Sequence, residues 1–259
     1  LADILRTAFA GSFFPGDPGE LADMVDGFLD CGAEPHGNAV GMVVPHAGYV
    51  YSGLTAGFGF SSAPDDVSTV VVCAPSHRYP LMEASVFDIH GVRTPLGVCP
   101  VNREVAGKLA GSLETVVFNE HSFEVMVPFI QRRWPEAEIV PVILGMSPDC
   151  AVIARLVENA APGSFFVASS DLSHFHPLST ARELDRRCIH GFLSLSPDAF
   201  SEALHSGGEA CGRHPILTLL HLAALRKATR ALELRYSTSA DAGAGTDEVV
   251  GYFSGLVTT

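Results

Sequence analysis

Histidine recurs at one kind of place in this chain. An apolar run closes at Val43-Val44-Pro45 and delivers His46; a second, Thr69 to Ala74, closes at Pro75-Ser76 and delivers His77; a third, Phe165-Phe166-Val167-Ala168, delivers Ser169-Ser170-Asp171-Leu172-Ser173-His174. Proline cannot donate to a sheet ladder, so the first two strands are predicted to stop there. In open α/β sheets, ligands bind beyond the carboxyl ends of the strands. A single histidine so placed reads as solvent-exposed or structural. Three such places, with His121 at a helix start as a fourth, form one crevice if the strands are parallel neighbours. Two neutral imidazoles and one anionic side chain suit a catalytic divalent metal, because three protein ligands leave coordination positions open. Asp171, Glu124 and the Cys211 thiolate all qualify as the third ligand, and spacing does not choose among them, since they do not share a helix.

Cys211 lies in an Ala-Cys-Gly turn before a predicted helix. Aligned amide dipoles lower a thiol pKa there, so ligation or nucleophilicity is expected of it. Cys31, Cys73, Cys99, Cys150 and Cys188 read as buried and inert. His36, His90, His190, His205 and His221 fall in loops or within helices and read as surface or core residues, whereas His176 and His214 lie beside the candidate loops. Arg213 reads first as one half of a surface or structural ion pair and second as a partner for an acidic ligand or substrate.

The elements that must hold these residues alternate. Asp17, Pro18 and Glu20 read as a capped helix start, and Leu21, Met24, Val25 and Phe28 follow at helical spacing. A strand over Val40 to Val44, a close-packed helix beginning in the Gly-rich stretch Ser52 to Phe60, and a strand over Thr69 to Ala74 come next. Ala84 to Ile89 and Val92 to Leu96 are predicted to pair as short strands around Gly91. Then come a helix from Asn102, a short strand Thr115 to Phe118, a helical segment through Phe123, Val127 and Ile130, a strand Ile139 to Leu144, and a helix Asp149 to Asn159. Helices over Ser179 to Leu193, Pro197 to Leu204 and the apolar stretch after Pro215 lead to closing strands Leu232 to Ser237 and Val249 to Leu256. This order predicts one α/β domain over residues 1–259, with a mostly parallel, mixed-edge sheet covered by helices on both faces.

Composition excludes several classes. At 47% hydrophobic and 17% charged, the chain is a globular one and not a disordered one. The net charge of -13, without a Lys/Arg cluster, disfavours nucleic acid as a partner. No apolar run reaches the roughly 18 residues of a membrane span, and no basic stretch followed by an apolar core marks a leader. Six scattered cysteines without a CxxC pair point to a reduced, cytoplasmic protein.

Pro45-His46-Ala47-Gly48-Tyr49, Pro75-Ser76-His77, Glu120-His121-Ser122-Phe123-Glu124, Ser169 to His174 and Cys211-Gly212-Arg213-His214-Pro215 together resemble the Memo family. Its bacterial and archaeal members are called AmmeMemoRadiSam system protein B. The likeness runs from Ala10-Gly11-Ser12-Phe13-Phe14-Pro15 to Val249-Val250-Gly251-Tyr252, and several motifs in the right order make it specific. It implies the fold of class III extradiol dioxygenases, a three-layer α/β/α domain with non-haem iron bound by two histidines and a carboxylate. By position it implies His46 and His77 as histidine ligands, Cys211 as the third, His174 as acid–base with Asp171 beside it, and His121 as a pocket histidine. A thiolate in place of the carboxylate softens the site towards copper or zinc as well as Fe(II), so extradiol ring cleavage does not follow from fold kinship. The family name also implies association with a radical-SAM protein and an AMMECR-type protein.

Three functions compete on this reading. The first is a metal-dependent redox enzyme acting on a small molecule, with His174 moving a proton. The second is a non-catalytic adaptor that binds metal or peptide in an enzyme's crevice. The third is a metal-free hydrolase with Cys211 or Ser122 as nucleophile and His174 with Asp171 as base and orienter; the absence of a Gly-x-Ser-x-Gly elbow counts against it.

Overall fold

The computed structural model describes residues 4–259. In chain order, β1 (Ile4–Arg6) and α1 (Pro18–Leu29) precede β2 (Ala39–Val44), α2 (Tyr49–Ser62) and β3 (Thr69–Pro75). Next are β4 (Ala84–Val86), β5 (Gly91–Thr94), β6 (Gly97–Pro100), α3 (Arg103–Ala110), α4 (His121–Glu124), α5 (Val127–Arg133) and β7 (Glu138–Leu144). The chain continues through α6 (Cys150–Ala160), β8 (Phe165–Ser169), β9 (His174–His176), α7 (Leu178–Leu193), α8 (Pro197–His205) and α9 (Arg213–Leu225) to β10 (Arg230–Thr238) and β11 (Val249–Thr258).

The main sheet runs β10-β11-β2-β8-β3-β7-β4, with β9 added on β11. The four inner strands β2, β8, β3 and β7 are parallel, and antiparallel strands close both edges. Their unbroken apolar sequences follow from burial on both faces. Along β2 the faces alternate: a methyl group added at Gly41 would strike Leu219 of α9, whereas Val44 and Met42 face Gly59 of α2. Helices α1, α2 and α5 thus cover one face, and α6, α7, α8 and α9 cover the other. The result is the expected three-layer α/β/α architecture around a mostly parallel, mixed-edge sheet.

Four local expectations are corrected. Residues after Ala84 do not pair with Val92 to Leu96: β4 joins the main sheet against β7, and the hairpin is β5 with β6, turning at Gly97 in a left-handed conformation (φ 120°). No strand forms over Thr115 to Phe118; this stretch follows Glu114, whose carbonyl accepts from the amide of Val86. His174 lies in the short strand β9, paired with Val250, and not in a free loop. Pro75 is the last residue of β3 and not a stop before it; the ladder passes on to the Ser76 amide, which donates to Leu144 O.

Candidate metal centre

β8 lies between β2 and β3, so the residues following these three strands meet at one edge of the sheet. His46 follows β2, His77 follows β3, and Ser170-Asp171 follow β8. His121 opens α4, capped by Glu120. The rings of His46, His77 and His121 pack with centroids 5.1, 5.4 and 5.6 Å apart. One ligand nitrogen from each lies within 4.8 Å of the other two, the spacing that can hold a metal ion.

The network fixes His46 at both ends. Its amide donates to Asp171 Oδ1 at 2.7 Å, joined by the Ala47 amide at 3.3 Å. Its Nδ1 lies 2.8 Å from Ser169 Oγ, and that hydroxyl donates to the Ser122 carbonyl at 2.6 Å. With its proton committed there, Ser169 Oγ must accept, which places the His46 proton on Nδ1 and leaves Nε2 as a lone pair. A hydrogen bond on the far nitrogen is what orients a metal-binding imidazole. Burial, and then the His77, His121 and His174 imidazoles, hold His46 well below its ordinary pKa; burial lowers His77 as well. Both are therefore neutral at pH 7, the form that ligates. Ser169→Ala is expected to lower metal affinity about 10–100-fold, measured by competition against a chelator of known affinity.

Buried carboxylates clamp the turns that carry these rings. Glu120 Oε2 accepts the amides of His77 and Arg78 at 2.7 and 2.9 Å, as Asp171 accepts those of His46 and Ala47. Glu124 Oε2 accepts from Ala8 and Phe9 at 2.7 and 3.2 Å, and its Oε1 accepts from Asn119 at 2.7 Å. Both Glu124 oxygens are thus committed, one to the N-terminal segment and the other to Asn119, which removes it from the ligand candidates. Sequence reasoning passed over Glu120, whose partners lie 42 and 43 residues away. Burial pushes the Glu120 carboxyl up, but the His121 imidazole and the two amides outweigh it and hold it below its ordinary value. Glu120 Oε1 is also 3.0 Å from His121 Nδ1. That contact is close but bent away from ideal hydrogen-bond geometry. Three imidazoles whose nitrogens converge this closely, two of them neutral, fit a bound cation.

The profile of the Memo-like protein family matches residues 6–256. The chain belongs to the Memo family. A MEMO1 family protein of Methanosarcina barkeri is 35% identical to it, over 97% of this chain and 99% of that one. MEMO1 family proteins of Thermoplasma volcanium and Thermotoga maritima are each 32% identical, over 97% of this chain and 97% and 99% of theirs. Among solved structures, an uncharacterised Escherichia coli K12 protein shares the fold at 13% identity, with a TM-score of 0.54 over 82% of this chain and 98% of that one.

In this Memo-family chain Cys211 sits just before Gly212, the N-cap of α9. Its Sγ is 3.2 Å from His46 Nε2, the lone-pair nitrogen, and accepts the Asp171 amide at 3.2 Å. It stands outside the group formed by the three imidazoles. A methyl group on Gly212 would lie 2.1 Å from Ser169 O, so only glycine lets this turn close on the end of β8. The lowered thiol pKa expected of a helix start is not found. Burial, and then the Asp171 charge, push the Cys211 thiol well above its ordinary value, so desolvation outweighs the dipole.

His174 Nδ1 donates to Leu172 O at 2.8 Å, which leaves its Nε2 as the acceptor. With Cys211 it lines a cleft of ≈ 550 Å³. His176 pairs with Glu209, and His214 Nδ1 bonds Gly145 O, so neither reaches the imidazole cluster as a donor. Ser122 is fully buried and donates its hydroxyl proton to Pro75 O, with no imidazole to activate it. All six cysteines are free thiols. Among the described residues, no helix is long and apolar enough to cross a membrane.

Proposed function

We propose that this protein is a metal-dependent redox enzyme acting on a small molecule in the cytoplasm. His46, His77 and the Cys211 thiolate hold the ion, Fe(II) first with copper or zinc as the alternatives, and His121 lies within reach of it. The observation that carries this reading is the bunch of three imidazoles whose ligand nitrogens lie within 4.8 Å of one another. The Cys211 assignment rests on its contact with His46 Nε2 and on the motif it shares with the family. When bound, such a metal supplies Lewis acidity and one-electron chemistry at coordination positions the protein leaves open.

The chain's own residues do the rest. Ser169 holds the His46 tautomer, and Asp171 and Glu120 fix the backbone of the two histidine turns, so both carboxylates are positioning residues. His174 takes a proton from substrate at Nε2, since its Nδ1 proton is committed to Leu172 O. The Cys211–His46 contact also has the form of a nucleophile–base pair. Without metal, however, burial keeps the thiol protonated and the imidazole neutral, the opposite of an activated thiolate.

Two variants separate the donors. With Co(II) as the probe, Cys211→Ser is expected to abolish a sulfur-to-metal charge-transfer band, whereas His121→Ala keeps it. A band that survives Cys211→Ser removes the thiolate from the assignment. Enzymatic function is tested by oxygen consumption with catechol-like and other small organic substrates: turnover that falls at least a hundredfold in His174→Ala supports it, and the absence of turnover with metal bound favours the adaptor.

A further inference from the structure

Arg213 is the first residue of α9 and lines the same cleft as His174 and Cys211. The sequence reads Arg213 first as half of an ion pair and second as a partner for an acidic ligand or substrate; among the described residues no carboxylate pairs with it. Glu209, the acidic residue of the cleft lining, is engaged by His176 at 2.9 Å. In a chain of net charge -13, this cleft presents an exposed guanidinium that no carboxylate of the described residues neutralises.

The guanidinium is also oriented. His214 Nδ1 bonds Gly145 O at 3.1 Å, so its Nε2 is the acceptor facing Arg213 Nε at 3.4 Å. Burial lowers the His214 pKa and keeps that nitrogen unprotonated. Among the described residues, Arg213 therefore uses Nε and leaves Nη1 and Nη2 without an acceptor. A guanidinium with free fork nitrogens recognises a planar two-oxygen anion. Leu172, Leu204 and Leu217 give the same cleft an apolar wall, and ≈ 550 Å³ is the size of a small-molecule site.

We propose that this cleft binds a small organic carboxylate, its anion on Arg213 and its apolar body against the leucines, beside Cys211 and His174. This names the substrate class of the redox reading above and rests on it.

Calorimetric titration of the purified protein with benzoate, phenol and inorganic phosphate tests it, using wild type, Arg213→Ala and Arg213→Lys, with metal content measured on the same samples. Benzoate is expected to bind saturably, at least tenfold more weakly to Arg213→Ala, with an intermediate value for Arg213→Lys and unchanged metal content. Equal benzoate affinity in wild type and Arg213→Ala, or phenol binding as well as benzoate, overturns the proposal. Phosphate binding more tightly than benzoate overturns the carboxylate class. Arg213-dependent benzoate binding in a chain that holds no metal refutes the metal reading and leaves this site standing; bound metal without it refutes this site alone.

Discussion

Replacing His46 and His77 together by alanine is expected to take bound metal from near-stoichiometric to background while the chain still folds. The rings supply two of the proposed donors, and the neighbouring carboxylates are not free to replace them: Asp171, Glu120 and Glu124 are occupied by backbone amides, which leaves Cys211 and His121 at the site. Folding should survive because Asp171 and Glu120 hold the two turns through the amides of His46 and His77, which alanine retains. Elemental analysis alongside circular dichroism checks both halves. A folded double variant with full metal content would remove both histidines from the ligand set.

Asp171 should show a large effect of a different kind. Burial raises its carboxyl from 3.8 to about 6, against the opposing pull of the His46 amide. The unfolded chain releases this proton near the ordinary value and the metal-free folded chain holds it to about 6, so stability falls as pH rises between these values. By neutral pH the ionised form costs on the order of 3 kcal/mol. Asp171→Asn keeps an oxygen for the His46 and Ala47 amides and cannot ionise. Measured by denaturant unfolding without metal, it should match wild type near pH 4 and exceed it by that amount at pH 7. Taking this difference cancels the opposite trend of His46, whose depressed pKa contributes stability that is lost as pH falls below its ordinary range. Asp171→Ala leaves two amides without an acceptor and should be about 2–4 kcal/mol less stable than Asp171→Asn at every pH. Parallel pH profiles for wild type and Asp171→Asn would show that the carboxyl is not desolvated as described.

The sheet centre was legible because β2, β3, β7 and β8 are buried on both faces and are written as unbroken apolar runs. The site was legible in part for the same reason: His46, His77 and Asp171 directly follow such runs, and parallel pairing brings their ends together. What was not legible depends on pairing across long stretches of chain. β9 exists only through β11, some seventy residues on, and β4 leaves its neighbour for β7. The clamps could have been suspected from Glu120, a carboxylate inside an otherwise apolar and His-bearing stretch, but its targets could not. Cys211 shows the limit most plainly: a helix start suggested a low thiol pKa, and burial beside Asp171 reverses it.

The central claim is that a transition metal sits between His46, His77 and Cys211. X-ray absorption at the metal edge of the purified protein tests it most directly. One metal per chain is expected, bound by at least two imidazole nitrogens and one sulfur, the sulfur disappearing in Cys211→Ser. A coordination sphere of oxygen alone, or a purified chain that binds none of iron, copper or zinc, would contradict it.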